Sequence, residues 1–218
     1  MMNYLNKKII IIDNSDLSYS GDDINGTILR GTEASLILLS EQFVRMGIDV
    51  DYCNTINTKK NINGVNYFNK NNIDKKIIYD LAIAVSDANE FNRVSSIKKA
   101  VFSNSNQPIE KFIRKKQLIP FLKYRPILIT LCDYQFKKRS FFTSFYGKKT
   151  IPITVDPMFL DIDVNDNFLP KRKVVYNIRS NRNLDQLIKI WCEKIFPTNN
   201  EFELYITPNL INYNDYHQ

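Results

Sequence analysis

Four consecutive residues at the mouth of a helix, Arg30, Gly31, Thr32 and Glu33, hold the first chemistry that the sequence offers. A helix N-terminus presents backbone N–H groups without intrahelical partners and a partial positive charge, so it attracts anions. Gly31 has no Cβ and lets a ligand come close to the backbone. The same residues also suit a plain helix start, capped by Thr32 or Glu33. The second chemistry is electrostatic. From Lys111 to Lys149 there are eleven Lys and Arg against one acid, Asp133, in a chain of net charge +7. Such a stretch suits phosphates, nucleic acid or an anionic membrane surface, and it also suits a merely solvated face.

Other chemistries find no residues. The only histidine is His217, beside the C-terminus. No Ser/His/Asp set, HExxH, zinc-ligand cluster or GxxxxGK[ST] loop occurs. Cys53, Cys132 and Cys192 lie far apart, an odd count without CxxC, which argues for free thiols in a reducing compartment. No run approaches the roughly 18 apolar residues of a membrane span, and the N-terminal apolar run is too short for a signal peptide. A soluble, cytoplasmic protein is expected. With 44% hydrophobic and 12% aromatic residues, a core can form.

The elements that must position these residues are those of an α/β fold. "KKIIIID" is a short apolar, β-branched run, as expected of a parallel strand buried on both faces. A loop rich in Ser, Asp, Asn and Gly follows, then a helix with Leu36, Leu39, Phe43 and Met46 on one stripe, stopped by Gly47. "IDVDYCN" returns as a strand, completing a right-handed βαβ unit. "GVNYF" reads as a short edge-type strand. "YDLAIAVS", "KKAVFSNS", "PILITLCD" and "KKTIPITVDP" continue the series. Between them, "EKFIRKKQLIPFLKYR" is partly helical and broken by Pro120, and "YQFKKRSFFTSFYG" is a helix. Residues 1–166 therefore form a doubly wound, Rossmann-like parallel sheet, and "VNDNFLPKR" is a linker. Residues 167–218 make one further βαβ unit, with Leu184, Leu187, Ile188 and Trp191 on one face of its helix, as an incomplete second Rossmann-like unit.

Three landmarks in order carry a resemblance: "RGTEASLILLSEQFVRMGIDV", "KTIPITVDPMF" and "KVVYNIRSNRNLDQLIKIW". Together they resemble the family 4 (group 1) glycosyltransferases of GT-B fold, from the start of the N-terminal domain into the first unit of the donor-binding domain. The resemblance covers about residues 8 to 208. It implies two Rossmann-like domains facing a cleft, with the nucleotide sugar at the carboxyl ends of the strands. Gly31 and Glu33 fall on the second Gly and the Glu of the family's Gly-Gly-x-Glu turn, and Arg30 replaces its first Gly. By this match Arg30 and Gly31 lie against the donor phosphates, with Thr32 and Glu33 on the cleft. Arg179 and Arg182 fall on the family's Arg and Lys, cations that hold the leaving diphosphate in place of a metal. Asn104 and Asn106 fall in an acceptor-facing loop. Lys115, Lys116, Lys123 and Arg125, interleaved with Phe112, Phe121 and Tyr124, fall on a basic helix that can meet anionic headgroups.

The resemblance thus implies a hexosyltransferase-type enzyme of polysaccharide biosynthesis. It would use a nucleotide-diphosphate sugar and a glycan or lipid-linked acceptor, with no cofactor or metal, at the inner face of the membrane. The family's Glu-x7-Glu motif is missing, so the chain alone is expected to be weak or inactive; Glu33 and Glu41 share that spacing only by coincidence. The reading of another class is a non-catalytic α/β binding module whose basic face takes an anionic membrane or nucleic acid, nucleic acid being the less expected partner.

Overall fold

The computed structural model describes residues 6–25, 29, 31–106, 108–152, 172–176 and 183–206. Contacts divide the chain into two units, residues 1–154 and 155–218. The boundary expected at 166 falls outside the described residues.

The first unit is a Rossmann-like α/β fold built on eight strands: β1 (Lys8–Asp13), β2 (Asp49–Asn54), β3 (Lys60–Ile62), β4 (Val65–Asn69), β5 (Ile78–Val85), β6 (Ser95–Ser103), β7 (Ile127–Thr130) and β8 (Lys148–Thr150). Their order is β3-β4-β2-β1-β5-β6-β7-β8. Every pair is parallel except β3 with β4. The chain runs outward from β1 in one direction and then returns to build the other, so the order reverses between β1 and β5. In sheets of this kind that reversal opens a crevice at the carboxyl ends of the strands.

β1 shows why its run of isoleucines works. Ile9 and Ile11 enter one core with Leu36, Ile37, Val50 and Tyr52. Ile10 and Ile12 enter a second core on the other face, with Phe91, Phe112, Phe121 and Phe142. The first face is covered by α1 (Gly31–Arg45). The second is covered by α2 (Ile109–Arg114), α3 (Leu118–Tyr124) and two short 3-10 turns, Ala88–Arg93 and Phe141–Ser144. α1 ends as its sequence implies. Gly47, at φ 81°, donates to the Val44 carbonyl while Ile48 donates to that of Phe43. This pair of bonds closes the helix through a left-handed glycine.

Three expectations change. "GVNYF" is not an edge strand, because β3 pairs outside it through an Asn63-Gly64 turn with both residues at positive φ (50° and 83°); this is the twist-matched two-residue hairpin. The basic helical stretch does break, but at Lys116, which is left-handed at φ 53°. Pro120 sits in the first turn of α3, where its missing N–H costs nothing. "YQFKKRSFFTSFYG" is a five-residue α4 (Asp133–Lys137) followed by the Phe141–Ser144 turn, not one helix.

The second unit holds β9 (Lys173–Tyr176), α5 (Leu184–Ile190) running on into one π-helical turn (Trp191–Ile195), and β10 (Glu203–Ile206). β9 and β10 pair in parallel, so this is the expected βαβ unit. Trp191 is buried, Leu184 and Leu187 are half-buried and Ile188 is exposed.

Candidate functional site

A crevice of about 310 Å³ opens at the switch point. Five elements converge there. Asp13, Asn14 and Asp16 come from the end of β1, and Ser86 and Asp87 from the end of β5. Thr32 and Glu33 come from the first turn of α1, and Asn104 follows β6. Lys115, just past α2, supplies an ammonium.

Asn104 ties these elements together. Its Nδ2 donates to Thr32 Oγ1 at 2.8 Å, and its Oδ1 accepts from Ser86 Oγ at 3.4 Å. Its carbonyl accepts from Gln135 Nε2 at 2.9 Å. Ser86 itself is left-handed, at φ 59°, a conformation that costs a non-glycine residue energy and gathers at functional sites. Its backbone is held by Phe102 and by Gln117, whose amide donates to the Ser86 carbonyl at 3.2 Å.

Beneath the crevice lies a buried polar chain. Asp13 accepts from the Ser15 N–H at 3.0 Å and from the Tyr19 hydroxyl. Tyr19 and Tyr52 share a hydrogen bond of 2.5 Å. A carboxylate only accepts and a phenol has one proton, so Tyr19 gives its proton to Asp13 and Tyr52 must donate to Tyr19. Burial pushes the Tyr19 phenol far above its ordinary range, helped by Tyr52 and Asp13. Burial does the same to Tyr52, helped by Asp13 and by Glu33 among others. Both phenols therefore stay neutral donors. Asp87, for its part, caps the 88–93 turn through Asn89 N–H at 2.9 Å and accepts from Asn14 Nδ2 at 3.1 Å.

Of the residues singled out from sequence, Thr32, Glu33 and Asn104 meet in this crevice, and Lys115 reaches it as well. Thr32 and Glu33 are the second and third residues of α1. Gly31 is exposed, and a Cβ built on it meets nothing within 4 Å. Asn106 is exposed and does not line the crevice. Arg30, Arg179 and Arg182 lie outside the described residues. Lys116, Lys123 and Arg125 are exposed, with Lys123 Nζ 4.9 Å from the Tyr124 ring centre and the Arg125 guanidinium 5.8 Å from that of Tyr146. Of the aromatics interleaved with them, Phe112 and Phe121 are core and Tyr124 is half-buried. Asp13, Asn14, Ser86 and Asp87 were not singled out. Their signal was present, since each directly follows an apolar strand run and so sits at a carboxyl end.

Among the described residues, no group of three or more His, Cys, Asp or Glu is arranged to hold a metal ion, and no helix is long and apolar enough to cross a membrane. Compared with known proteins, the chain matches no family model, no curated protein and no solved structure.

Proposed function

We propose that this chain is a glycosyltransferase-like protein whose first unit holds the acceptor of a transfer from a nucleotide-diphosphate sugar. The observation that carries the reading is the make-up of the switch-point crevice. Its lining has four carboxylates (Asp13, Asp16, Glu33 and Asp87) and one ammonium, with amides and hydroxyls between them. Carboxylates repel phosphate, whereas they accept hydrogen bonds from hydroxyls. The lining is far more polar than that of an ordinary drug-like pocket, and it suits a polyhydroxyl ligand such as a sugar. The diphosphate then belongs with Arg179 and Arg182, whose guanidinium forks match phosphate oxygens and stabilise charge developing on the leaving group.

In the transfer, an acceptor oxygen forms a bond to the anomeric carbon as the bond from that carbon to the diphosphate breaks. The nucleoside diphosphate leaves with the bonding electrons. The acceptor proton goes to Asp13 in an inverting transfer and to the departing phosphate in a retaining one.

The test is a calorimetric titration of the chain with UDP, GDP and their sugar conjugates, repeated with simple glycosides. One nucleotide should bind, and the Arg179→Ala/Arg182→Ala variant should lose it. Glycosides should bind more weakly to Asp13→Asn with nucleotide binding intact. Unchanged nucleotide affinity in the double arginine variant would remove the donor assignment. Glycoside binding indifferent to Asp13 would remove the crevice.

A further inference from the structure

Parallel strands that follow one another need a long crossover, and an α-helix usually supplies it. Between β5 and β6 the link is instead the 88–93 3-10 turn, whose Ala88 and Phe91 enter the core of the second face. On the first face α1 packs over β2 and β4. Beside the carboxyl-terminal turn of α1, a trough of about 480 Å³ lies open near the amino ends of β1, β5 and β6.

The trough is mostly apolar. Ile9 and Ile48 are buried members of the first core, and Phe43 and Leu81 are half-buried against it. Met46, 50% exposed, and Ile97, 72% exposed, belong to the same lining. Six apolar side chains thus meet in one cavity, of the size that small-molecule pockets have, about 300–1,000 Å³. Lys7, Asp80 and Lys98 complete it. Lys7 Nζ and Asp80 Oδ1 pair at 2.7 Å, and Asp80 Oδ2 accepts from the Lys8 N–H at 2.9 Å. Lys98 is exposed and has no ion-pair or hydrogen-bond partner among the described residues. One uncompensated positive charge therefore stands beside the apolar wall.

We propose that the trough binds a single-chain amphiphile with a negative head, a fatty carboxylate. Its alkyl chain lies against Phe43, Met46, Leu81 and Ile97, and its carboxylate meets Lys98. The unbranched, flexible Met46 side chain adapts to a ligand of no fixed shape. A neutral apolar ligand would leave Lys98 without a role, and a small polar anion would leave the six apolar side chains without one. A twofold-related copy of this chain would bring the same lysine to this face, like charge against like. The switch-point crevice lies at the carboxyl ends of the strands and the trough near their amino ends, so the two sites stand or fall separately.

The experiment is a calorimetric titration of the full chain with octanoate and decanoate below their micelle concentrations, and with 1-octanol as the uncharged comparison. Decanoate should bind about 15-fold more tightly than octanoate, because each buried methylene contributes about fourfold. Lys98→Gln should weaken octanoate about two- to fivefold at low salt and leave 1-octanol unchanged. Met46→Gln/Ile97→Thr should weaken decanoate roughly tenfold; both side chains are exposed, and circular dichroism would verify that the fold is kept. Asp13→Asn, in the crevice, should leave decanoate binding as it is. No decanoate binding would overturn the proposal, as would affinity that is indifferent to chain length or to the Met46/Ile97 variant. Equal loss of octanoate and 1-octanol in Lys98→Gln, or no loss of either, would remove the carboxylate from Lys98. A concentration-dependent dimer that decanoate does not dissociate and Met46→Gln/Ile97→Thr abolishes would assign the trough to a second copy instead.

Discussion

Asn104 Nδ2 donates to Thr32 Oγ1 at 2.8 Å, across 72 positions of sequence. The bond closes one wall of the switch-point crevice, since it joins the loop after β6 to the first turn of α1. It also uses the Thr32 hydroxyl as an acceptor, which leaves that hydroxyl's own proton to point elsewhere.

Thr32→Val keeps the shape and removes the acceptor. The pair is exposed, so unfolding free energy should fall by only about 1 kcal/mol. Glycoside binding should weaken by more than the stability loss implies, because Asn104 would swing free of the crevice wall. Urea unfolding and calorimetry on the same variant separate the two effects. Equal glycoside affinity in variant and parent would show that this wall does not touch the ligand.

The direction of the Tyr52–Tyr19–Asp13 chain ranks two conservative variants. Tyr19→Phe removes a donor from the buried Asp13 carboxylate and strands the Tyr52 proton, at a cost of about 1–3 kcal/mol for unmet buried groups. Tyr52→Phe removes only the outermost donor and should cost about 1 kcal/mol. Urea midpoints should therefore fall further for Tyr19→Phe. The opposite order would mean that Tyr19 is not the proton donor to Asp13.

Much of this arrangement is legible in the sequence wherever burial is complete. Four successive isoleucines, Ile9 to Ile12, can only be a strand covered on both sides, and both cores claim two of them. Gly47 as a helix stop follows from the need for positive φ. Legibility fails where an element is short. α2 has six residues, and over so few turns the spacing of Ile109, Phe112 and Ile113 does not say which side faces in. β3 has three residues, two of them polar in character, so its Asn63-Gly64 turn passes unnoticed between weak strands. The site divides in the same way. Thr32, Glu33 and Asn104 stand out by position in a motif-like order, whereas Asp13 and Tyr52 meet only because β1 and β2 pair in parallel, with Ile12 opposite Cys53.

Gly64 tests that hairpin directly. It sits at φ 83°, and a Cβ there would lie 2.6 Å from Val44 Cγ1, on α1. The left-handed backbone alone costs an L-residue about 1–2 kcal/mol, before the clash is relieved. Gly64→Ala should therefore lose at least that much stability in urea unfolding, with an unchanged m-value. A variant as stable as the parent would mean that the turn, or its packing on α1, is wrong.

The tyrosines make the fold sensitive to alkali. Of twelve in the chain, Tyr19, Tyr52, Tyr67 and Tyr79 are all buried, and burial is the first cause that raises each of their phenols. Asp13 adds to the effect on Tyr19 and Tyr52, Glu41 on Tyr67, and the hydrogen bond to Asp51, 2.6 Å long, on Tyr79. The sign follows from linkage. Below the ordinary tyrosine range, about pH 10, folded and unfolded states are both neutral at these groups and no stability is lost. Above it the unfolded chain sheds four protons that the folded chain keeps, so stability falls by about 1.4 kcal/mol per pH unit for each group. Together they reach the size of a typical domain's whole stability within about one to two pH units. Absorbance of tyrosinate should thus rise in two stages, first for the other tyrosines and then in a cooperative step that coincides with loss of circular dichroism. Tyr67→Phe should shift that second step to higher pH, because one fewer group drives it. A single smooth titration of all twelve, with the fold intact, would contradict the buried assignment of these four side chains.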